Sequence, residues 1–276
     1  MTGISVPSWT GVAVSLLLVA LTATVAYRQQ LHLTRELVVA ALRAGVQLIA
    51  VGALLLVIFA RAGLPGAFAW VLIMILIAGQ VAGRRGRGLP RARWAATAGV
   101  ATGSVITLGA LLGLGVISTQ ARIVVPIGGM IVSGSMQAAG VALRRLREDA
   151  RAARPVIEAR LCLGLSARQA FLPHQRSAVR TALLPAIDST KVVGLISLPG
   201  AMTGLIVAGV DPLTAIRYQI VVMYMLLAAT ALAALASARL AEHTLFDHAH
   251  RLVPLPDSTD QERQPWSLSP LRRRSR

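Results

Sequence analysis

The stretch "LTAIRYQIVVMYMLLAATALAALAS", residues 213–237, decides the fold, because it is too apolar for the surface of a soluble domain. A transmembrane helix needs about 20 predominantly apolar residues, and this stretch holds one charged residue, Arg217, near its start. Six other long apolar runs precede it; 67–83 is marginal in length and 191–210 is interrupted. They lie at roughly 10–27, 37–60, 67–83, 94–117, 122–143 and 191–210. The sequence predicts an all-α polytopic membrane protein with seven transmembrane helices.

Composition supports a membrane protein. Of the 276 residues, 55% are hydrophobic and 14% are charged, and the mean hydropathy is +0.66. A soluble domain carries about 25% charged residues, so this chain lacks the polar surface that water requires. The single cysteine, Cys162, excludes an intrachain disulfide. Residues 1–9 contain no Lys or Arg, and we therefore interpret the first run as a span rather than a signal peptide.

The basic residues predict the orientation of the chain. The net charge is +17, and 23 of the 28 Lys and Arg residues fall in alternate segments that we assign to the inner side. The opposite loops hold only Arg61, Arg122 and Arg217. This asymmetry predicts an outer N-terminus and a cytoplasmic C-terminus. It assigns the charge to topology rather than to nucleic-acid binding, for which no aromatic interleaving or fold motif is present.

The chain is predicted to form one transmembrane domain, residues 1–251, followed by a tail. Most loops are short, but the inner segment between spans five and six covers about 144–190. Residues 252–276 are rich in Pro, Ser and charge, and are predicted to be a disordered basic cytoplasmic tail.

Local signals within the inner segment predict two helices joined by a tight turn. Pro155 should kink or restart a helix, and Gly164 is placed to end one in the left-handed conformation. Ser166 stands three residues before Gln169, which is the spacing of a capping box. Because Pro173 follows closely, we expect a very short second helix that exposes Phe171. The alternative is an ordinary cytoplasmic loop with incidental caps.

This stretch resembles the EAA loop of ABC-transporter permeases. Glu158 and Ala159 are followed by Arg160 in place of the second alanine, then Gly164, with Pro173 closing the motif. In such permeases the loop forms a coupling helix that sits in a cleft of the ATPase subunit. The resemblance implies a cytoplasmic coupling loop between helices five and six whose ATPase-coupling residues are Glu158, Ala159, Gly164, Ser166, Phe171 and Pro173.

A closer resemblance covers almost the whole membrane part. Three stretches are similar to the FetB-type iron-export permease family and its plant relatives, the half-size permeases linked to aluminium tolerance. They are residues 42–52, 122–143 and 182–223, and the last contains "GLISLPGAMTG" and "GVDPLTAIRYQIVV". The resemblance implies a homodimer in the bacterial inner membrane, paired with a separate ATP-binding subunit and exporting iron or another metal. Alternatives are a different substrate, such as a nucleotide sugar, or a membrane enzyme or scaffold without transport.

The chain has no nucleotide site of its own. It contains no G-x-x-x-x-G-K-[ST] motif and no Gly-Lys pair, so we expect a transport subunit that is not an enzyme and binds no cofactor. ATP and Mg²⁺ belong to the partner. None of the 11 acidic residues lies deep in a predicted span; Glu36, Asp188 and Asp211 lie at span ends. A proton-coupled carrier and an acid–base enzyme therefore lose support.

Several residues within the spans are candidates for a translocation path. Arg43 with Gln47 one turn on is either functional or a snorkelling arginine. Pro199 and Gly200 predict a broken helix in span six, and Pro126 predicts a similar break in span five; packing is the alternative reading. The candidate set is Arg43, Gln47, Met130, Met136, Pro199, Gly200 and Met202.

Metal ligands are not assigned. Five methionines concentrate in spans five to seven without sharing one helix face, so core packing is favoured over a copper(I) site. They are Met130, Met136, Met202, Met223 and Met225. A weak metal site from His243, Asp247, His248 and His250 competes with a solvated tail, which we favour.

Overall fold

A computed structural model describes residues 9–30, 34–58, 63–196, 198–247 and 251–255. These residues fold into helices joined by short connections and form no β-sheet. In chain order the helices are α1 (Trp9–Arg28), α2 (Thr34–Val57), α3 (Gly63–Arg85), α4 (Ala92–Gly113), α5 (Ala121–Ala152), α6 (Arg154–Cys162), α7 (Ala167–Val192), α8 (Gly200–Val207) and α9 (Pro212–Leu245). The all-helical fold class is confirmed.

Five helices are long and apolar enough to cross a membrane: Thr34–Leu56 within α2, and the whole of α3, α4, α5 and α9. They correspond to five of the predicted spans. The apolar part of α1, Ala13–Arg28, is shorter. The count of seven spans stays a prediction.

The predicted sixth span is not one helix. Its first residues belong to the end of α7, and α8 holds only eight residues. Between them Gly194 adopts a left-handed backbone, with φ +81, and Pro199 is extended at the N-cap of α8. Pro199 has no N–H to donate, and the positive φ of Gly194 is incompatible with a right-handed helix. This stretch therefore does not continue the helix. The predicted interruption is confirmed.

The break predicted at Pro126 is wrong. Helix α5 continues through Pro126, which lies in its second turn. A proline removes the hydrogen bond to the residue four positions earlier and crowds that carbonyl, which can bend a helix without ending it. Its sequence neighbours Val124, Val125 and Ile127 are buried, and burial of such side chains offsets the cost of one lost hydrogen bond.

The chain divides into two compact, interleaved units. The first comprises Met1–Trp70, Ser118–Val125 and Gly194–Val221. Within it α1 and α2 pack as a hairpin, where Ala23 and Ala26 are buried and the Thr34 hydroxyl donates a 3.4 Å hydrogen bond to the Ala23 carbonyl.

The second unit comprises Val71–Ile117, Pro126–Val193 and Val222–Arg276. Its core contains many alanines and glycines, which let helices approach closely. A Cβ placed on Gly103 of α4 would lie 2.6 Å from the Ala229 carbonyl oxygen of α9. The same carbonyl accepts a 3.4 Å hydrogen bond from the Ser135 hydroxyl of α5. Helices α4, α5 and α9 therefore meet around Ala229.

Candidate functional site

The segment between α5 and α7 forms a helix–turn–helix, which we call the knob and define as residues 154–173. Helix α5 ends at Ala152, and α6 starts at Arg154 with Pro155 in its first turn. Proline suits this position because the first N–H groups of a helix have no intrahelical acceptor. The predicted restart at Pro155 is confirmed.

The turn at the tip of the knob is a Schellman motif. Gly164 has φ +87, its N–H donates to the Leu161 carbonyl at 3.0 Å, and the Leu165 N–H donates to the Arg160 carbonyl at 3.2 Å. These bonds satisfy the last carbonyls of α6. The predicted role of Gly164 as a left-handed helix end is confirmed.

Helix α7 begins with the predicted capping box. The Gln169 N–H donates to the Ser166 hydroxyl at 3.3 Å, and the Ser166 N–H donates to Gln169 Oε1 at 3.1 Å. Both bonds satisfy donors that a helix start would otherwise leave free. The direction in which the chain leaves the turn is thus determined locally.

The expected short second helix is wrong. Helix α7 runs 26 residues and contains both Pro173 and Pro185. Its buried residues recur at helical spacing on both sides of Pro173, so packing along one face outweighs one missing hydrogen bond. They are Ala170, Phe171, Gln175, Ala178, Val179 and Ala182.

The expected exposure of Phe171 is also wrong. Phe171 is fully buried, with its ring 5.8 Å from that of His174 and 6.0 Å from that of Phe246 at the end of α9. The most exposed apolar residue of the tip is instead Leu163, at 79% exposure. Phe171 therefore stabilises the knob from inside.

The other predicted coupling residues lie on the surface of the knob. Glu158, Ala159, Gly164, Ser166 and Pro173 are all exposed. Glu158 Oε1 pairs with Arg154 Nε at 2.7 Å, one helical turn away. The structure therefore brings these residues together on the surface of the knob, with Phe171 buried inside it.

The segment after α9 returns to the knob. Arg154 donates to the Leu252 carbonyl at 3.4 Å, Leu252 is buried, and it forms a bridge with Phe246. Asp247 pairs with Arg251. The predicted disorder concerns mainly residues 256–276, which lie outside the described residues.

The weak metal site is partly outside the described residues, since His248 and His250 are not among them. Of the remaining pair, Asp247 Oδ2 lies 3.4 Å from Arg251 Nε. Within the described ranges no group of three metal-binding side chains occurs.

The translocation candidates do not surround one described cavity. Arg43 and Gln47 lie exposed on α2, and Met130 and Met136 are half-buried on α5. Pro199 caps α8, whose first and third residues are Gly200 and Met202. Their assignment to a path stays a prediction.

Sequence reasoning missed a cavity of about 280 Å³ between α5, α7 and α9. Its polar lining includes Arg85, Gln137, Ser189 and Thr190. The same cavity is lined by Met223, Leu226, Leu227 and Thr230, in the middle of the apolar run 213–237. The second half of α7 therefore lies alongside the apolar part of α9.

Asp188 lies on the same part of α7. Ser189 and Thr190, the next residues, contact the same cavity as the middle of α9. Asp188 Oδ1 forms an ion pair with Lys191 Nζ at 3.1 Å. The pair lowers the hydropathy of this stretch, and the apolar run of the sequence begins only at 191. Asp188 thus lies on the part of α7 that packs beside the apolar run of α9.

Comparisons with known proteins agree with this architecture. The model of the Uncharacterised protein family (UPF0014) matches residues 9–246. The chain is 38% identical to "UPF0014 membrane protein STAR2" of Oryza sativa subsp. japonica, over 85% of this chain and 82% of that protein. It is 37% identical to "Protein ALUMINUM SENSITIVE 3" of Arabidopsis thaliana, over 90% of this chain and 91% of that protein. It is 34% identical to "Probable iron export permease protein FetB" of Escherichia coli, over 87% and 93%. No solved structure matches the chain significantly.

Proposed function

This chain belongs to the UPF0014 family of membrane proteins, and we propose that it is the membrane-spanning permease subunit of an ABC transporter. A separate subunit binds and hydrolyses ATP with Mg²⁺, and two copies of this chain form the permease. Transport proceeds by alternating access as the ATPase pair closes and carries the knobs with it. The chain itself performs no catalysis.

The observation that carries the proposal is the geometry of the knob. Its two helices are joined by a turn that local hydrogen bonds determine. A Schellman motif at Gly164 ends the first helix, and a capping box at Ser166 and Gln169 starts the second. The tip presents Leu163 and Leu165 to solvent while Phe171 stabilises the interior. A helix–turn–helix with an exposed apolar tip is suited to insertion into a cleft of another protein.

For the substrate we propose export of iron or another metal. The support is the name of the Escherichia coli relative, a probable iron export permease. The second candidate is an anionic substrate such as a nucleotide sugar. It is favoured by the cavity between α5, α7 and α9, whose polar lining contains a guanidinium, an amide and hydroxyls but no carboxylate, thiol or imidazole. In this proposal the N-terminus lies outside and the knob lies in the cytoplasm of a bacterial cell.

The coupling role is tested by Leu163→Asp, with Leu114→Asp as its matched control. Both leucines are 79% exposed, and each precedes a left-handed glycine at the end of a helix. The tagged chain is purified from its host membrane, and a co-purifying subunit with a Walker motif is identified by mass spectrometry. We expect Leu163→Asp to remove that subunit and its ATPase activity, and Leu114→Asp to retain both.

Two results would contradict the coupling role. A wild-type preparation without an ATP-binding subunit would overturn the transporter and favour a membrane enzyme or scaffold. Equal retention by both variants would overturn the role of the tip. The substrate is tested separately in inside-out vesicles supplied with Fe²⁺, other divalent metals or a nucleotide sugar; absence of ATP-dependent iron movement would remove the first candidate.

A further inference from the structure

Helices α7 and α9 enclose a groove of about 520 Å³ that is apolar at one end and basic at the other. We call it the α7–α9 groove. Its apolar residues are Leu172, Val179, Leu183, Ile187 and Leu235, its arginines are Arg168, Arg176, Arg180 and Arg239, and Gln175 completes the lining.

The positive charge of the groove is not balanced by its own walls. No carboxylate lines it, and among the described residues none of the four arginines has an acidic oxygen within ion-pair distance. Glu242, buried on α9, interacts electrostatically with Arg168 and Arg239. Arg176 and Arg180 form no ion pair within the described residues. An anion in the groove would relieve the repulsion between the guanidinium groups.

The groove lies where the two helices leave their apolar segments. On α9 the 21 residues from Tyr218 to Ala238 carry no charge, and Arg239 ends that stretch. Such a segment rises about 32 Å, close to the ~30 Å hydrocarbon core of a bilayer. On α7, Arg180 is the last arginine before the half that lies alongside α9. The arginines are therefore at the level of lipid headgroups, and Leu183, Ile187 and Leu235 are at the level of acyl chains.

We propose that the α7–α9 groove binds an anionic phospholipid. The headgroup phosphate lies between Arg176, Arg180 and Arg239, and one acyl chain lies along Leu183, Ile187 and Leu235. Basic grooves between transmembrane helices on the cytoplasmic side are suited to such headgroups, and arginine binds phosphate in a bidentate manner. An acidic segment of a partner protein would use the arginines but leave the apolar end empty.

The bound lipid has a structural consequence. It links α7, whose first residues form the knob, to α9, whose end packs on Phe171 through Phe246. The lipid thus holds the base of the knob against the core of its unit. Binding itself needs no nucleotide or transported substrate, so it can be measured on the purified chain whether or not the proposed transport function is correct.

The experiment measures binding of dioleoyl-phosphatidylglycerol and dioleoyl-phosphatidylcholine to the full chain in detergent by native mass spectrometry. The test variant is Arg176→Gln/Arg180→Gln. The matched control is Arg84→Gln/Arg87→Gln, which removes the same charge from two exposed arginines outside the groove. Each basic residue that reaches an acidic headgroup contributes roughly fivefold to its binding, and only the test pair lines the groove. We therefore expect at least a tenfold loss of phosphatidylglycerol binding in the test variant and less than a twofold change in the control.

A second variant tests the apolar end without changing charge. Leu235→Trp fills the groove at the acyl level, and we expect it to weaken phosphatidylglycerol binding while leaving the binding of soluble glycerol phosphate unchanged. Thermal unfolding in phosphatidylcholine confirms that each variant folds.

Three results would overturn the proposal. Wild-type protein without preference for phosphatidylglycerol would exclude an anionic-lipid site. Equal losses in the test and control doubles would attribute binding to overall charge. Glycerol phosphate that binds as tightly as the phospholipid, with Leu235→Trp without effect on either, would identify a free-phosphate site rather than a lipid site.

Discussion

Gly164 contributes to stability through its backbone conformation rather than through side-chain packing. Its φ is +87, and a Cβ added there would meet no atom within 4 Å. A substitution therefore acts through backbone strain alone, which costs about 1–2 kcal/mol for an L-residue in the left-handed region.

We expect Gly164→Ala to destabilise the turn of the knob by about 1 kcal/mol. Gly204→Ala, at an α8 position with equal space and no positive φ, should be neutral or slightly stabilising. The free energy of unfolding of detergent-solubilised protein and the rate of proteolytic cleavage at the tip are the measurements. If both substitutions lower stability equally, the left-handed backbone does not explain the effect.

Asp188 and Lys191 lie beside an apolar span, where an unpaired charge is unfavourable. We expect Asp188→Asn and Lys191→Met each to lower the free energy of unfolding more than the double substitution does. Each single change leaves one unpaired charge, and the double change leaves none. A double-mutant cycle on thermal unfolding measures this coupling.

The matched pair for this cycle is Arg144 and Glu148, with Arg144→Met and Glu148→Gln as the changes. These groups are also 3.1 Å apart but lie in the charged end of α5. There the coupling should stay at the ~0.3–0.5 kcal/mol of a surface helix pair. Equal coupling in the two cycles would place Asp188 and Lys191 in water rather than beside the span.

At the scale of elements, α4 and α9 pack closely because Gly103 has no side chain. A Cβ on Gly103 would lie 2.6 Å from the Ala229 carbonyl oxygen and 2.9 Å from the Ala233 Cβ. Neither atom can move without moving α9. The close approach gives the two helices van der Waals contact that larger residues would prevent.

We therefore expect Gly103→Val to separate α4 from α9 and to destabilise the protein by about 1–3 kcal/mol, which is the usual range for overpacking. Gly109→Val on the same helix has open space around its Cβ and should change stability by less than about 1 kcal/mol, the scale of helix propensity alone. Thermal unfolding in one detergent compares the two. A smaller loss for Gly103→Val than for Gly109→Val would contradict this packing.

The elements that sequence reasoning predicted correctly are those with local causes. Gly164, Ser166 and Gln169 lie within six residues of one another, and their backbone bonds determine the turn without help from the rest of the chain. The burial of Phe171 was not predictable in this way, because its partner Phe246 comes from the end of α9. The length of α7 was missed for the same reason, since Pro173 is tolerated only through packing along its buried face.

The packing of the second half of α7 beside α9 was not predictable from hydropathy. Hydropathy averages over a window, and Asp188 and Lys191 lower that average where α7 lies beside α9. Neither the cavity nor the α7–α9 groove could be predicted, because each requires knowing which residues of distant helices face one another. The sequence nevertheless contained the signal for the groove, since Arg180 and Arg239 each mark the edge of an apolar stretch.

At the scale of the whole molecule, α2 requires a partner. None of its apolar window is buried within the chain, and Arg43 and Gln47 are exposed on it, nine and thirteen residues after its first residue. Lipid can cover the apolar residues, but a guanidinium and an amide at that depth need protein or water around them. In the proposed homodimer a second copy brings another α2, and the path proposed between the subunits brings water.

We expect Arg43→Ala to weaken dimerisation of the chain in lipid vesicles by at least tenfold, since it removes a polar contact that hydrocarbon cannot replace. Arg35→Ala, in the first turn of α2 and exposed like Arg43, should change it less than twofold, because that arginine reaches headgroups and water. Förster transfer between labelled copies at increasing dilution in lipid measures the dissociation constant. A wild-type chain that stays monomeric at all dilutions would contradict the homodimer itself. A dimer that is equally strong in both variants would keep the homodimer but assign Arg43 to the water-filled path.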